Sequence, residues 1–306
     1  MSITEFSQEL VNALKSRGMD VVGCESIRNN GEVLNGISFR QNRERVAPIM
    51  YINRYYELFS GGDVDFDGVV EKIVTDYERL PMPAVPDLEE MFSSPDIIDR
   101  INLRIVNEDM NRAIIDDKQL INRRVQDTDL TCLFYITVFL DEAGQGSVAI
   151  NKEIFNRYLT ELAGDADELY SLVTNRKCAE DIVLEPIEDV LDRLTSNKAF
   201  EAIAFPPESK GFLYVLTNQT LQFGASSILM KDAADKILEA FPEGKVTIIP
   251  SSVSELLLLR STSEMSIDCL RGMVRDVNDT CLCREDILSY NIYRYDANTG
   301  RLEIAE

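Results

Sequence analysis

The stretch Phe212–Arg260, FLYVLTNQTLQFGASSILMKDAADKILEAFPEGKVTIIPSSVSELLLLR, decides the fold. It reads as a strand, a turn, a second strand, an acidic helix, and then two strands around Pro250-Ser251-Ser252. Short apolar runs bounded by turn residues favour strands, and the periodic acidic segment between them favours a helix. Strands and helices mix here, and along the whole chain, without strict alternation of the two. The fold class expected is therefore α+β.

Upstream of that stretch, Ser2-x-x-Glu5 is a capping box ahead of Phe6, Leu10, Val11 and Leu14 at helical spacing. Met19–Ile27 and Val33–Phe39 read as strands joined through Asn29-Asn30-Gly31. A third strand is expected over Val46–Ile52, continuing into the aromatic run Tyr55–Phe59, and a helix through Val69, Val70, Ile73, Val74 and Tyr77. Four of the ten prolines lie between Pro81 and Pro95. That cluster predicts a small N-terminal α/β unit over residues 1–80, a proline-rich linker over 81–96, and a larger mixed α+β domain over 97–306. Within that domain Ile101–Asn122 is amphipathic without a clear type, and Leu130–Leu140 reads as a strand. Asn151 and Asp165 open helices. Leu270, Met273, Val274 and Val277 share a helix face, and the end folds back as a hairpin around Asp296–Gly300.

Composition removes whole classes of chemistry. The chain contains no histidine and no tryptophan, so the commonest general base and metal ligand are missing. A serine–histidine–acid triad cannot form within one chain. The 53 acidic residues outnumber the 31 basic ones, giving a formal net charge of -22. Such a surface repels phosphate backbones, so no direct nucleic-acid binding is expected. A basic protein partner suits it better. The N-terminus lacks a basic region followed by an apolar run, and the most apolar window is too short for a membrane span. Six cysteines scattered through 306 residues then predict reduced thiols and a cytoplasmic location.

Several motifs invite a site and fall short of one. Asp63-x-Asp65-x-Asp67-Gly68 opens like a calcium loop, but Val74 stands where the closing glutamate belongs. The three aspartates suit a helix N-terminus instead, and no metal or other cofactor is expected. Gly144-x-Gly146 lacks the helix that a dinucleotide site requires. The remaining candidates are turn residues of the deciding stretch: Thr217, Asn218, Gly224, Pro250, Ser251, Ser252 and Glu255. Polar turn residues of this kind commonly bond the backbone between strands. As a pocket they would need a lysine among Lys210, Lys231, Lys236 and Lys245 to activate a serine.

Tyr51-Ile52-Asn53 with Tyr55-Tyr56, Leu213–Asn218 with Phe223-Gly224-Ala225, Ile249–Val253, Val274–Asn278 and Tyr293–Asp296 together carry a resemblance. They resemble an uncharacterised domain family of gut Firmicutes, often encoded on integrative and mobile elements. The middle block is also similar to a broader bacterial family sharing T-N…G-A…P-S-S. Those families usually continue P-S-S-[VI] with His-Glu, whereas Ser254-Glu255 follows here. The resemblance implies a fold and a genetic setting, and no reaction. The function expected is a non-catalytic cytoplasmic interaction or regulatory protein, an accessory factor of a mobile element. Two rivals are an enzyme or ligand-binding domain using the Thr217-Asn218 and Ser251-Ser252 turns, and an acidic mimic that inhibits a nucleic-acid-binding protein.

Overall fold

The computed structural model describes residues 1–40, 49–79, 88–139, 145–195, 211–260 and 265–306. The fold is α+β, with all strand pairs of assigned direction antiparallel. The chain divides into two compact units: residues 1–87 with 139–146, and residues 88–138 with 147–306.

In the first unit, α1 (Ile3–Ser16) precedes the meander β1 (Val21–Ile27), β2 (Val33–Phe39) and β3 (Ile49–Tyr51). The helices α2 (Asn53–Ser60) and α3 (Phe66–Glu78) follow. The capping box is present: the Glu5 backbone N–H donates to Ser2 Oγ at 3.3 Å, and the Ser2 N–H to Glu5 Oε2 at 2.8 Å. Asn30 and Gly31 take φ of 58° and 72°, the left-handed pair that closes β1 onto β2. The aromatic run after Ile52 is helical, not the strand expected. At helical spacing Ile52, Tyr56 and Phe59 share a face, and Phe6 meets Tyr56 and Phe59 at centroid distances of 5.4 and 5.2 Å. An extended chain would send alternate rings to solvent. Phe6, Leu10, Leu14, Ile37, Val69 and Ile73 complete this core. Pro81, Pro83 and Pro86 lie outside the described residues.

The second unit begins with α4 (Leu88–Phe92), α5 (Ile97–Arg100), β4 (Ile101–Asn107), α6 (Glu108–Asp117), β5 (Asn122–Arg124), β6 (Leu130–Phe139) and β7 (Gln145–Ala149). The strands form one sheet in the order β4-β6-β5, with β7 also on β6. The segment of unclear type thus splits at Asn107, whose side chain accepts from the Met110 N–H at 3.1 Å and caps α6. Then come α7 (Lys152–Ile154), a π-helical turn over Phe155–Leu159, α8 (Ala166–Thr174), β8 (Ile182–Pro186) and α9 (Ile187–Thr195). The deciding stretch supplies β9 (Leu213–Asn218), a 3-10 helix (Gly224–Leu229), α10 (Lys231–Ala240), β10 (Lys245–Ser252) and β11 (Glu255–Arg260). After α11 (Ile267–Thr280), β12 (Tyr293–Asp296) and β13 (Arg301–Ile304) close a six-stranded sheet ordered β13-β12-β10-β11-β9-β8. Along β10 buried Val246, Ile248 and Pro250 alternate with less buried neighbours, the pattern of a sheet with two unlike faces.

One carboxylate ties distant parts of this unit together. Asp129 accepts hydrogen bonds from Asn107 Nδ2 (2.8 Å), Ser289 Oγ (2.8 Å), Asn291 Nδ2 (3.1 Å) and the Tyr293 hydroxyl (2.6 Å). Tyr293 is 1% exposed, and burial, then the Asp129 charge, push its ionisation well above the usual tyrosine range.

Candidate functional site

The turn residues singled out in the deciding stretch meet at one end of the six-stranded sheet. Thr217, at the end of β9, is 4% exposed, and its hydroxyl donates to the Ser254 carbonyl at 2.7 Å. That bond fastens β9 to the β10–β11 turn. Gly224 lies against the same spot: an added Cβ would stand 2.2 Å from Thr217 Oγ1, 2.5 Å from the Ser254 carbonyl and 2.8 Å from the Asn218 N. Only glycine fits between them.

The serine turn is closed from within. The Ser251 hydroxyl donates to Glu255 Oε1 at 2.8 Å, and Ser252 Oγ accepts from the Ser254 N–H at 3.0 Å. The register of β10 against β11 shifts between Pro250 and Ser252, a bulge that turns the chain. Pro250 falls beyond Ile248, where the β12 pairing ends, so its missing N–H removes no bond to that strand. The lysines are engaged elsewhere or distant. Lys236 donates to the Ile182 carbonyl at 2.7 Å, Lys231 and Lys245 line other clefts, and Lys210 lies outside the described residues.

Asn218 anchors a loop. Its Nδ2 donates to the Gln222 carbonyl at 2.8 Å, and its Oδ1 accepts from Thr220 Oγ1 at 3.0 Å. Gln219 reaches the next segment, donating from its N–H to the Asp181 carbonyl (2.9 Å) and from Nε2 to the Glu180 carbonyl (3.2 Å). Leu221 and Phe223 both occupy left-handed backbone, with φ of 55° and 53°. This geometry breaks the second strand expected here and starts the 3-10 helix instead. The Phe223 ring is fixed by the Arg104 guanidinium 4.2 Å above it and by Tyr135 edge-on at 5.3 Å. Burial raises the Tyr135 hydroxyl to about 12. Leu221, at the tip, is 66% exposed.

The space beside Asn218 is about 60 Å³, room for roughly two waters, and Ser251, Ser252 and Glu255 do not line it. Asp65 caps α3 by accepting from the Gly68 N–H at 2.8 Å, and Asp67 lies in that helix's first turn. Among the described residues no group of three potential metal ligands is gathered, Asp63 included. Gly144 lies outside the described residues, and Ser147–Ala149 belongs to β7, not to a helix. Nor is any helix of the described residues long and apolar enough to cross a membrane.

Thr217, Asn218, Gly224 and the serine turn were legible as candidates because turn chemistry marks them. Leu221 was not: nothing in Asn-Gln-Thr-Leu-Gln marks a leucine for left-handed backbone, where glycine or asparagine is the usual signal.

No curated protein and no solved structure matches the chain. One family does, described as a family of unknown function (DUF5688), over residues 3–297. The T-N…F-G-A…P-S-S pattern lies inside that match, and its geometry here is that of an interlocked set of turns. The chain belongs to the DUF5688 family of unknown function.

Proposed function

We propose that this chain is a non-catalytic interaction protein whose partner-facing surface is the loop Gln219–Phe223. The observation that supports this reading is Leu221: a large apolar side chain, 66% exposed, on a left-handed backbone that favours glycine. Such a conformation costs about 1 kcal/mol and persists only where surrounding bonds over-determine it. The bonds of Asn218, Gln219 and Thr220 do that here. A rigid loop presenting one apolar tip loses little entropy on docking. Exposed Glu180 and Asp181 flank it, so the matching partner offers an apolar pocket with a basic rim. The rival serine-turn chemistry is weakened because those hydroxyls already serve the fold. The setting we propose is the cytoplasm, where six free cysteines stay reduced. Its context would be that of an accessory factor of a mobile element, as the resemblance implies.

The test is affinity capture of a partner by the wild-type chain and by Leu221→Asn, followed by titration of the purified pair at rising salt. Asparagine tolerates left-handed backbone, so the variant keeps its fold. We expect Leu221→Asn to weaken the complex by about 30-fold, as for a buried anchor residue, and salt to weaken it further. A partner held equally by both chains, or none held by either, overturns the proposal.

A further inference from the structure

We propose that the second unit contains a binding site for a small organic anion bearing a carboxylate or phosphate. It lies in the cavity between Tyr170, the start of α10 and the Asp296–Arg301 turn. This reading is independent of the Leu221 surface. The cavity measures about 620 Å³, within the range of small-ligand sites.

Its lining mixes both signs of charge, and two of its three cations are already paired with carboxylates. The cavity brings Arg123, Lys231 and Arg301 together beside Asp127 and Asp235, which leaves Lys231 as the cation open to a ligand. Arg123 is held in place: its Nε donates to Asp167 Oδ1 at 2.7 Å, and its guanidinium lies 4.0 Å over the Tyr170 ring. Arg301 is shared between Asp127 (3.4 Å) and Glu303 (2.9 Å). The Lys231 ammonium has no ion pair among the described residues and is available to a ligand.

Two phenols sharpen the assignment. Tyr295 is 4% exposed and lines the cavity, and its hydroxyl has no hydrogen-bond partner among the described residues. The Tyr170 hydroxyl on the same wall is likewise without one. Neither hydroxyl is fully enclosed, so each has a proton to donate to an acceptor that enters the cavity. Burial raises both groups, Tyr295 to about 12 and Tyr170 in the same direction, so both stay protonated at neutral pH and can only gain by donating to an anion. The first turn of α10 adds to this wall, since Met230 at its N-cap supplies no side-chain acceptor.

Isothermal titration of the full chain with citrate, adenosine monophosphate and inorganic phosphate tests the site. The two organic probes separate a carboxylate from a phosphate ligand, and free phosphate reports the anionic group alone. We expect one organic probe to saturate at one per chain and free phosphate to bind more weakly. Tyr295→Phe and Lys231→Ala should each weaken that probe about tenfold, the loss of one hydrogen bond to a charged group. Lys231 is exposed, so its variant folds even if Tyr295→Phe does not. No saturable binding of either organic probe, or binding undiminished in Lys231→Ala, overturns the site.

Discussion

At Gly224 the lack of a side chain is a structural requirement. An alanine Cβ there would fall 2.5 Å from the Ser254 carbonyl and 2.8 Å from the Asn218 N, both backbone atoms that cannot rotate away. Overpacking of this kind costs about 1–3 kcal/mol and more when backbone must shift. Gly224→Ala is therefore expected to lower stability by about 3 kcal/mol, read from the midpoint of urea unfolding. A change under about 0.5 kcal/mol would mean that the Thr217 turn relaxes freely, and the interlocked description would be wrong. The glycine's role was legible only in part. Its place in a turn pattern could be read, but its packing partner Ser254 lies thirty positions along the chain, in a contact that no local pattern encodes.

Between elements, Asp129 and the hydroxyl of Tyr293 join the β5–β6 turn to the C-terminal hairpin. Removing the hydroxyl with Tyr293→Phe leaves a carboxylate with one fewer donor and should cost about 1–3 kcal/mol. The same pair sets a pH dependence. The folded-state ionisation of Tyr293 is raised above its unfolded value of about 10, so the folded protein favours the protonated phenol. That contribution is fully present below pH 10 and is lost as pH rises through the folded value. Wild-type stability should therefore fall above about pH 10, and more gently in Tyr293→Phe. Identical alkaline slopes for the two proteins would remove Tyr293 from the cause. Elements of this kind were readable where periodicity is strong. The β1–β2 hairpin, α3 and the closing hairpin follow from apolar spacing and turn residues. By contrast, α11 buries Leu270, Val274 and Asn278 and leaves Met273 and Val277, expected on its inner face, 53% and 47% exposed. The helix after Ile52 was not readable, because Tyr and Phe carry strand propensity and only packing on Phe6 reveals the helical face. The Asp129 network was equally hidden, since its members come from three distant segments.

For the whole molecule the dominant quantity is the formal charge of -22. Exposed ion pairs such as Arg17–Glu71 at 2.9 Å and Arg112–Asp109 at 2.8 Å recover little, as solvent-exposed pairs do. Mutual repulsion of the excess carboxylates opposes the compact state. Raising NaCl from about 0.02 to 0.5 M shortens the screening length from roughly 20 Å to under 5 Å, which suppresses repulsion between separate patches while leaving buried bonds intact. The melting temperature should therefore rise with salt, by about 2–4 °C for each kcal/mol of repulsion removed. Binding of the partner proposed above should weaken over the same range, because steering and rim contacts are screened together. Opposite responses of stability and binding to one variable are what the proposed interaction of an acidic chain requires. A melting temperature that falls with salt would instead assign net stabilisation to the surface ion pairs, and the charge would then serve the fold more than recognition.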